Sequence, residues 1–409
     1  MQHYEFPIIE SLDDILPHIA GRNEFMVNDR NGFKVVDYAY CLPDSFPPIP
    51  VEDGPEKDTA IMRRECRGLL FNENGKLLSR RYHKFHNIGE REEMLPANID
   101  FTKPHDILEK LDGSMVSSFM DPKDHVKRIS QQDSTYFTGK VFSGTTYGNV
   151  SVADQAAKFV QESNFPYEGF ARELMSDGWT PIFEWCSLKN RVVIRHEQSK
   201  FILTAIRHGR TGCYKPYDEI VDLAYKWNIP VVRSYGRVDN SQRFINRVRN
   251  TTDIEGFVVR FHDGHAVKIK TDWYVRFHNA VENLVYEKNV WKMLLNDDID
   301  DILPVLMEQD KDHLLQYNEE FNSAISMAAT ELVNHVKEMQ KVSGSDQKRY
   351  AELVKSNDRL IGPLKGMAFK INASDCDPVG LIREMAEKST GSASKIEEAR
   401  KIIKVSPWK

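Results

Sequence analysis

No run in this 409-residue chain is apolar over the length that a bilayer-crossing helix requires. The opening residues Met1-Gln2-His3-Tyr4-Glu5-Phe6 show no basic flank ahead of a hydrophobic stretch, so no secretory leader is expected. Cysteine is scarce. The five at Cys41, Cys66, Cys186, Cys213 and Cys376 are odd in number and widely scattered, which excludes a disulfide framework and zinc-ligand spacing. A reducing cytoplasm is therefore the expected compartment. Internal repeats and extended low-complexity segments are also missing. Nor is there an excess of positive charge: 55 Lys and Arg stand against 61 Asp and Glu, a formal net charge of −6. That balance argues against a general polyanion binder, although the field at a site depends on local clustering.

Such clusters are present. Arg63, Arg64 and Arg67 form one; Arg80, Arg81, His83, Lys84 and His86 a second; Lys189, Arg191 and Arg195 a third. Acidic residues concentrate elsewhere, as in Asp297-Asp298-Ile299-Asp300-Asp301. Solvated faces carry charge runs too, so the clusters alone say little about RNA. Hydrophobic residues at 41% and charged residues at 28% are those of a soluble globular protein, and the length exceeds one ordinary core, so two domains are expected.

The most informative residues are Lys110-Leu111-Asp112-Gly113-Ser114, followed in order by Phe183-Glu184, Glu255-Gly256 and Lys268-Ile269-Lys270. The pentad matches the signature of enzymes that attach a nucleoside monophosphate to a lysine. A solvated lysine has a pKa near ~10.4, so only roughly one in a thousand carries a free amine near neutrality, a deficit of about 4 kcal/mol. Burial, a neighbouring cation or a metal removes it. A phosphoramidate can be reprotonated and leave again, so the bond stores the nucleotide in transferable form. The attack also needs the triphosphate charge neutralised by Lys or Arg and usually Mg²⁺. Lys268 and Lys270 suit this: on a strand both amines project from one face while Val267 and Ile269 enter the core.

Each piece has a bland reading. Lys110-Asp112 alone is turn material, Glu184 a strand-end carboxylate, and the alternating lysines the wet face of an edge strand. Their coincidence in one order favours the functional reading.

The chain changes character near residue 283. Before it, strand-like segments recur: Leu69-Leu70-Phe71 and Lys76-Leu77-Leu78 around Asn74-Gly75, Ser114 to Met120, Ile182 to Cys186, Arg191 to Arg195, Phe201 to Ile206, and Gly256 to Phe261 with Ala266 to Lys270 around Asp263-Gly264. Helices are expected at Val152–Glu162, Tyr167–Asp177, Tyr217–Trp227 and Gln242–Val248. Beyond 283, Leu314, Tyr317, Phe321, Ala324, Ala328 and Leu332 recur at helical spacing. Asn283–Asn296, Ile299–Met307, Asp346–Lys355, Pro378–Lys388 and Lys395–Lys404 also read as helices, with Pro304 as a break and Ser394 as the cap of the last. The fold class expected is α+β: a domain built on antiparallel sheets over 1–282, with an N-terminal subregion over 1–60, then an all-helical domain over 283–409.

The set resembles the ATP-dependent phage RNA ligase 1 family of covalent nucleotidyltransferases. The resemblance rests on Glu65-Cys66-Arg67-Gly68, Lys84-Phe85-His86-Asn87, the Lys110 pentad, Phe183-Glu184, Asn190-Arg191, Ile254-Glu255-Gly256 and Lys268-Ile269-Lys270 followed by Asp272-Trp273-Tyr274. It implies an adenylyltransferase domain with a helical C-terminal domain that selects the RNA substrate. It also implies that Lys110 takes AMP from ATP, passes it to an RNA 5′-phosphate, and that a 3′-hydroxyl then seals the strand. Arg67 and Lys84 would contact phosphates, Lys268 and Lys270 stabilise charge during transfer, Glu184 meet the ribose, and Leu111 present its backbone to adenine. Glu255, with Asp272, would hold Mg²⁺ or Mn²⁺. The partner is RNA with 5′-phosphate and 3′-hydroxyl ends, such as a cleaved tRNA, with no membrane and no obligate protein partner, in the host cytoplasm if phage-encoded. The segment Arg128–Ser134 does not align with the family. DNA ligases and capping guanylyltransferases share the lysine chemistry but continue into a β-barrel. A non-catalytic RNA-binding scaffold is the remaining alternative, and it would be expected to lose Lys110, Glu255 or Lys270.

Overall fold

The computed structural model describes residues 4–30, 32–120, 136–139, 151–188, 193–194, 196–238, 240–306, 308–374 and 376–408. The chain divides into two compact units, Met1–Val275 and Arg276–Lys409, so the division falls inside helix Asp272–Val285 rather than at residue 282.

The first unit holds three antiparallel sheets. The first runs in the order β1 (Phe25–Arg30), β2 (Phe33–Tyr38), β3 (Leu69–Phe71), β4 (Leu77–Ser79). Val36, Leu69 and Phe71 bury one face against Ile9, Phe46 and Cys66, and helix Pro55–Glu65 adds Met62 to this cluster. A three-stranded sheet places β10 (Gly256–Phe261) between β5 (His105–Lys110) and β11 (Ala266–Lys270). Ile107, Val259, Val267 and Ile269 form its apolar face, covered by Phe244, Ile245 and Val248 of helix Ser241–Arg249. The remaining sheet runs β7 (Tyr136–Gly139), β6 (Ser114–Phe119), β8 (Trp179–Cys186), β9 (Lys200–His208). Helices Val152–Glu162, Tyr167–Ser176 and Tyr217–Lys226 contribute Val160, Phe170 and Ile220 to its core.

Buried ions tie the first and third of these sheets together. The Glu65 carboxylate accepts Arg80 Nε at 3.0 Å and both terminal nitrogens of Arg207 at 2.8 Å. Burial alone would raise this carboxyl; the two guanidiniums overcome it and hold the group down at about 2. Beside them, Arg81 donates to Ser117 Oγ at 3.0 Å and Thr138 Oγ1 at 2.9 Å. Arg80, Arg81, His83 and His86 are buried, so most of the basic run 80–86 belongs to the interior and not to an RNA-facing surface.

The second unit is helical and centres on one apolar cluster. Its longest element, Glu308–Ser343, buries Leu314, Tyr317, Phe321, Ala324, Ala328 and Leu332. The helix expected over 283–296 is two helices, Asp272–Val285 and Glu287–Leu295, parted by an extended Tyr286. Helix Ile299–Ile302 passes into a single 3-10 turn, Leu303–Val305, at Pro304; Met307 lies outside the described residues. The last helix, Ala393–Ile403, is capped by Ser392, whose side chain accepts from the Lys395 N–H; Ser394 lies inside the first turn and not at the cap. No described helix is long and apolar enough to cross a membrane.

Candidate active site

Strand pairing assembles the charged face of the three-stranded sheet. Lys110 is the last residue of β5 and lies opposite Gly256, which on its other side lies opposite Lys270. One step along, Leu108, Val258 and Lys268 are aligned in the same way. Partners in register share a face, so the three lysines emerge together although 158 residues separate Lys110 from Lys268. Gly256 has φ +147°, and a Cβ there would lie 1.9 Å from the Ile269 carbonyl oxygen. Only glycine fits between the two outer lysines.

Glu255, immediately before that glycine and 3% exposed, accepts Lys110 Nζ at 2.7 Å and Lys270 Nζ at 3.1 Å, both on Oε1. Lys270 also rests over the Tyr274 ring at 4.7 Å. Burial is the main force pushing the Lys268 amine down to about 7, and Arg67, Lys110 and Lys84 add to it. Near neutrality this lysine is poised between its charged and neutral forms.

The opposite wall comes from the sheet containing β6 and β8. Met115 pairs with Glu184, and Glu184 faces a cavity of about 490 Å³ that Lys110, Lys268 and Lys270 also line. Burial pushes the Glu184 carboxyl up to about 7, against the pull of Lys110. The tight joint between the sheets is Gly113, where a Cβ would come within 2.6 Å of the Trp185 carbonyl oxygen. A larger residue there would force apart the strands that carry Lys110 and Glu184. The cavity volume lies within the usual range for small-ligand sites.

Asp112 organises the loop around this joint. Its carboxylate accepts the Tyr274 hydroxyl at 2.7 Å and the backbone N–H groups of Val193 and Ile194. Burial, with Glu255 and Asp112 nearby, pushes the Tyr274 phenol up, so it stays a donor. The Asp of the pentad and the Tyr of Asp272-Trp273-Tyr274 are thus one hydrogen-bonded pair.

Arg67 and Leu111 line the cavity as well. Lys84 does not: its amine lies 3.3 Å from the Tyr38 hydroxyl and over the Tyr38 and Phe46 rings. Asp272 is exposed in the first turn of its helix and does not line the cavity. No group of three or more metal-ligating side chains occurs among the described residues. Asn190, Arg191, Lys189, Arg195 and Arg128–Ser134 lie outside the described residues, and Val193 and Ile194 form a bend rather than the expected strand. Tyr82 and Phe85 supply the cavity's aromatic surface; Tyr82 went unnoticed inside the basic run 80–86, although its place two residues before Lys84 was a usable signal.

Comparison with known proteins supplies the family. The RNA ligase family model matches residues 65–274, about half of the chain. A Thermovibrio ammonificans protein provisionally named an RNA ligase is 29% identical over 346 residues, covering 80% of this chain and 82% of that protein. RNA ligase 1 of bacteriophage TS2126 is 27% identical over 274 residues, covering 65% of this chain and 62% of its own length. Among solved structures, an archaeal ATP-dependent RNA ligase aligns at a TM-score of 0.43 and 12% identity over 66% of this chain and 64% of that one, too distant a likeness to bear on mechanism. The family match spans every element that builds the cavity, from Glu65 to Tyr274, and by it the chain belongs to the phage-type RNA ligase family.

Proposed function

We propose that the protein is an ATP-dependent RNA ligase that joins 5′-phosphate and 3′-hydroxyl RNA ends through AMP carried on Lys110. The observation that carries this reading is the register of β5, β10 and β11, which sets Lys110 and Lys270 on one oxygen of Glu255 with Lys268 beside them.

In the first step Lys110 Nζ forms a bond to the α-phosphorus of ATP while the bond to the β-phosphate oxygen breaks and pyrophosphate leaves. An oxygen of the RNA 5′-phosphate then takes the adenylyl group, and the phosphorus–nitrogen bond breaks. Finally the 3′-hydroxyl attacks the activated 5′-phosphorus and AMP departs. Lys268, Lys270 and Arg67 offset charge on the phosphoryl oxygens, where fixed cations in a water-poor site are worth most. Lys84 contributes its field rather than a contact. Glu184, protonated in part near neutrality, both donates to and accepts from the ribose hydroxyls, and Leu111 offers its backbone to adenine.

Glu255 borders the lysines, and one carboxylate together with nucleotide phosphates and water is the kind of oxygen donor set that would hold Mg²⁺ or Mn²⁺. When bound, such an ion supplies further charge neutralisation at the phosphates. Asp272 does not fit that set. We assign the helical unit the choice of RNA, including structured ends such as a cleaved tRNA, because shape recognition of folded RNA needs surface beyond a nucleotide cavity. The cytoplasm is the compartment where such ends would be met.

The test is incubation with ATP labelled at the α-phosphate and divalent metal, followed by denaturing electrophoresis. Wild type should carry label on Lys110. Lys110→Ala and Lys110→Arg should both carry none, because an arginine stays protonated and cannot attack. Label in either variant moves the nucleophile elsewhere, and a preference for GTP would favour capping chemistry.

A further inference from the structure

Residues 233–249 contain Arg233, Arg237, Arg243, Arg247 and Arg249 with one acidic residue, Asp239, in a chain whose net charge is −6. All five arginines are exposed, and none makes an ion pair or a side-chain hydrogen bond with a described residue. Asp239 lies outside the described residues. The arginines are nevertheless firmly mounted. Helix Ser241–Arg249 is capped by Asn240, which accepts the Arg243 N–H at 2.8 Å, and is anchored by buried Phe244, Ile245 and Val248. Arg243 and Arg247 are four residues apart on it, a spacing at which like charges repel.

Only the start of this stretch reaches the cavity's rim, while helix Ser241–Arg249 covers the opposite, apolar face of the three-stranded sheet. Residues 233–235 run along the free edge of β5: Glu109 N–H donates to the Arg233 carbonyl at 3.0 Å and Tyr235 N–H to the Ile107 carbonyl at 2.8 Å. Val232 and Glu109 line the cavity, and β5 ends in Lys110. Tyr235 is 47% exposed, with the Arg233 guanidinium 4.8 Å from its ring.

We propose that residues 233–249 form the docking surface for the single-stranded RNA that is led to the Lys110 cavity, a proposal that rests on the RNA ligase reading. Ordinary solvated helix faces mix signs, and the long helix Glu308–Ser343 does so. Exposed arginines with no carboxylate partner among the described residues are held at a cost in repulsion that a polyanion relieves. An acidic protein segment would satisfy the charge alone. The exposed Tyr235 beside a planar guanidinium favours nucleic acid, since stacking on aromatic and arginine planes is how single strands are held without regard to sequence.

The experiment uses the full chain and a fluorescent, 5′-phosphorylated single-stranded RNA, with affinity read by anisotropy across a salt series. R243E/R247E should weaken binding by ~10-fold or more near 0.1 M salt and make the log–log salt slope shallower by about 1.4, the share of two phosphates on a single strand. Tyr235→Ala should weaken binding several-fold with the slope unchanged. Wild-type affinity and slope in R243E/R247E would overturn the proposal. Self-labelling with ATP, run in parallel, should persist in the variants. If R243E/R247E loses labelling through misfolding, R243Q/R247Q is decided by the same slope. If wild type itself fails to label, the ligase reading falls, while the RNA titration still decides whether this surface binds RNA.

Discussion

On β11, Val267 and Ile269 point to one side of the sheet and Lys268 and Lys270 to the other; β5 and β10 divide the same way. The apolar side is sealed by helix Ser241–Arg249 and closes a core. The charged side opens on the cavity and concentrates cations that repel each other until a ligand arrives. One face secures the register that the other uses. Stability and chemistry in this sheet are therefore separable by parity, residue by residue, along a single strand.

The sharpest way to test that separation is Lys110→Ala, which should abolish self-labelling outright while a thermal melt stays close to wild type. Ile269→Ala is the opposite experiment: removing a fully packed side chain next door should cost about 2–5 kcal/mol in denaturant unfolding, with labelling per folded molecule retained. Lys270→Ala should lower ligation by ~10²-fold or more yet move stability by less than about 1 kcal/mol. Wild-type sealing by a folded Lys270→Ala variant would reduce the charged face to a solvated one.

Acid–base behaviour gives smaller effects on the same face. Glu184 has its carboxyl raised to about 7 by burial, so its ionisation opposes folding as pH rises from the ordinary carboxylate range through 7. Glu184→Gln should thus gain stability relative to wild type between pH 5 and pH 8, by on the order of 1–2 kcal/mol after allowance for solvent in the cavity; a pH-independent difference between the two melts would refute it. The Lys268 amine, lowered to about 7, is largely neutral at pH 8 in the empty site, and phosphate would restore its proton. Nucleotide binding at pH 8 should take up a fraction of a proton, measured by calorimetry in buffers of different ionisation enthalpy, and Lys268→Met should remove that uptake.

What was legible in the sequence follows the same parity. Alternation in Val267-Lys268-Ile269-Lys270 and the turn at Asp263-Gly264 revealed the β10–β11 hairpin because local pattern and tertiary role agree there. The strands Phe25–Arg30 and Phe33–Tyr38 and the helix Pro55–Glu65 escaped. The first strand ends in Asn28-Asp29-Arg30, polar residues that break alternation, and the helix is rich in charge, so neither shows a clean period. Arg80 and Arg81 misled for another reason: the groups that bury them, Glu65 and Arg207 around Arg80 and Ser117 and Thr138 around Arg81, lie elsewhere in the sequence, and only folding shows that they are interior. Asp112, though part of the pentad, had no role legible in the sequence because its three acceptor contacts go to residues 193, 194 and 274. Leu364–Ala373 was also missed; Gly366 and Asn372 weaken its helical signal.

A single oxygen of Glu255 faces two ammonium groups, and that arrangement has a consequence for traffic through the site. If Lys110 carries AMP, one of those cations disappears and an anionic phosphate takes its place, leaving Lys270 the whole carboxylate. The loaded protein then presents a much less attractive field to a second triphosphate than the empty protein does. Free ATP in the surrounding solution would compete weakly for an occupied site, and the cell's nucleotide pool would not slow the departure of AMP toward the next acceptor.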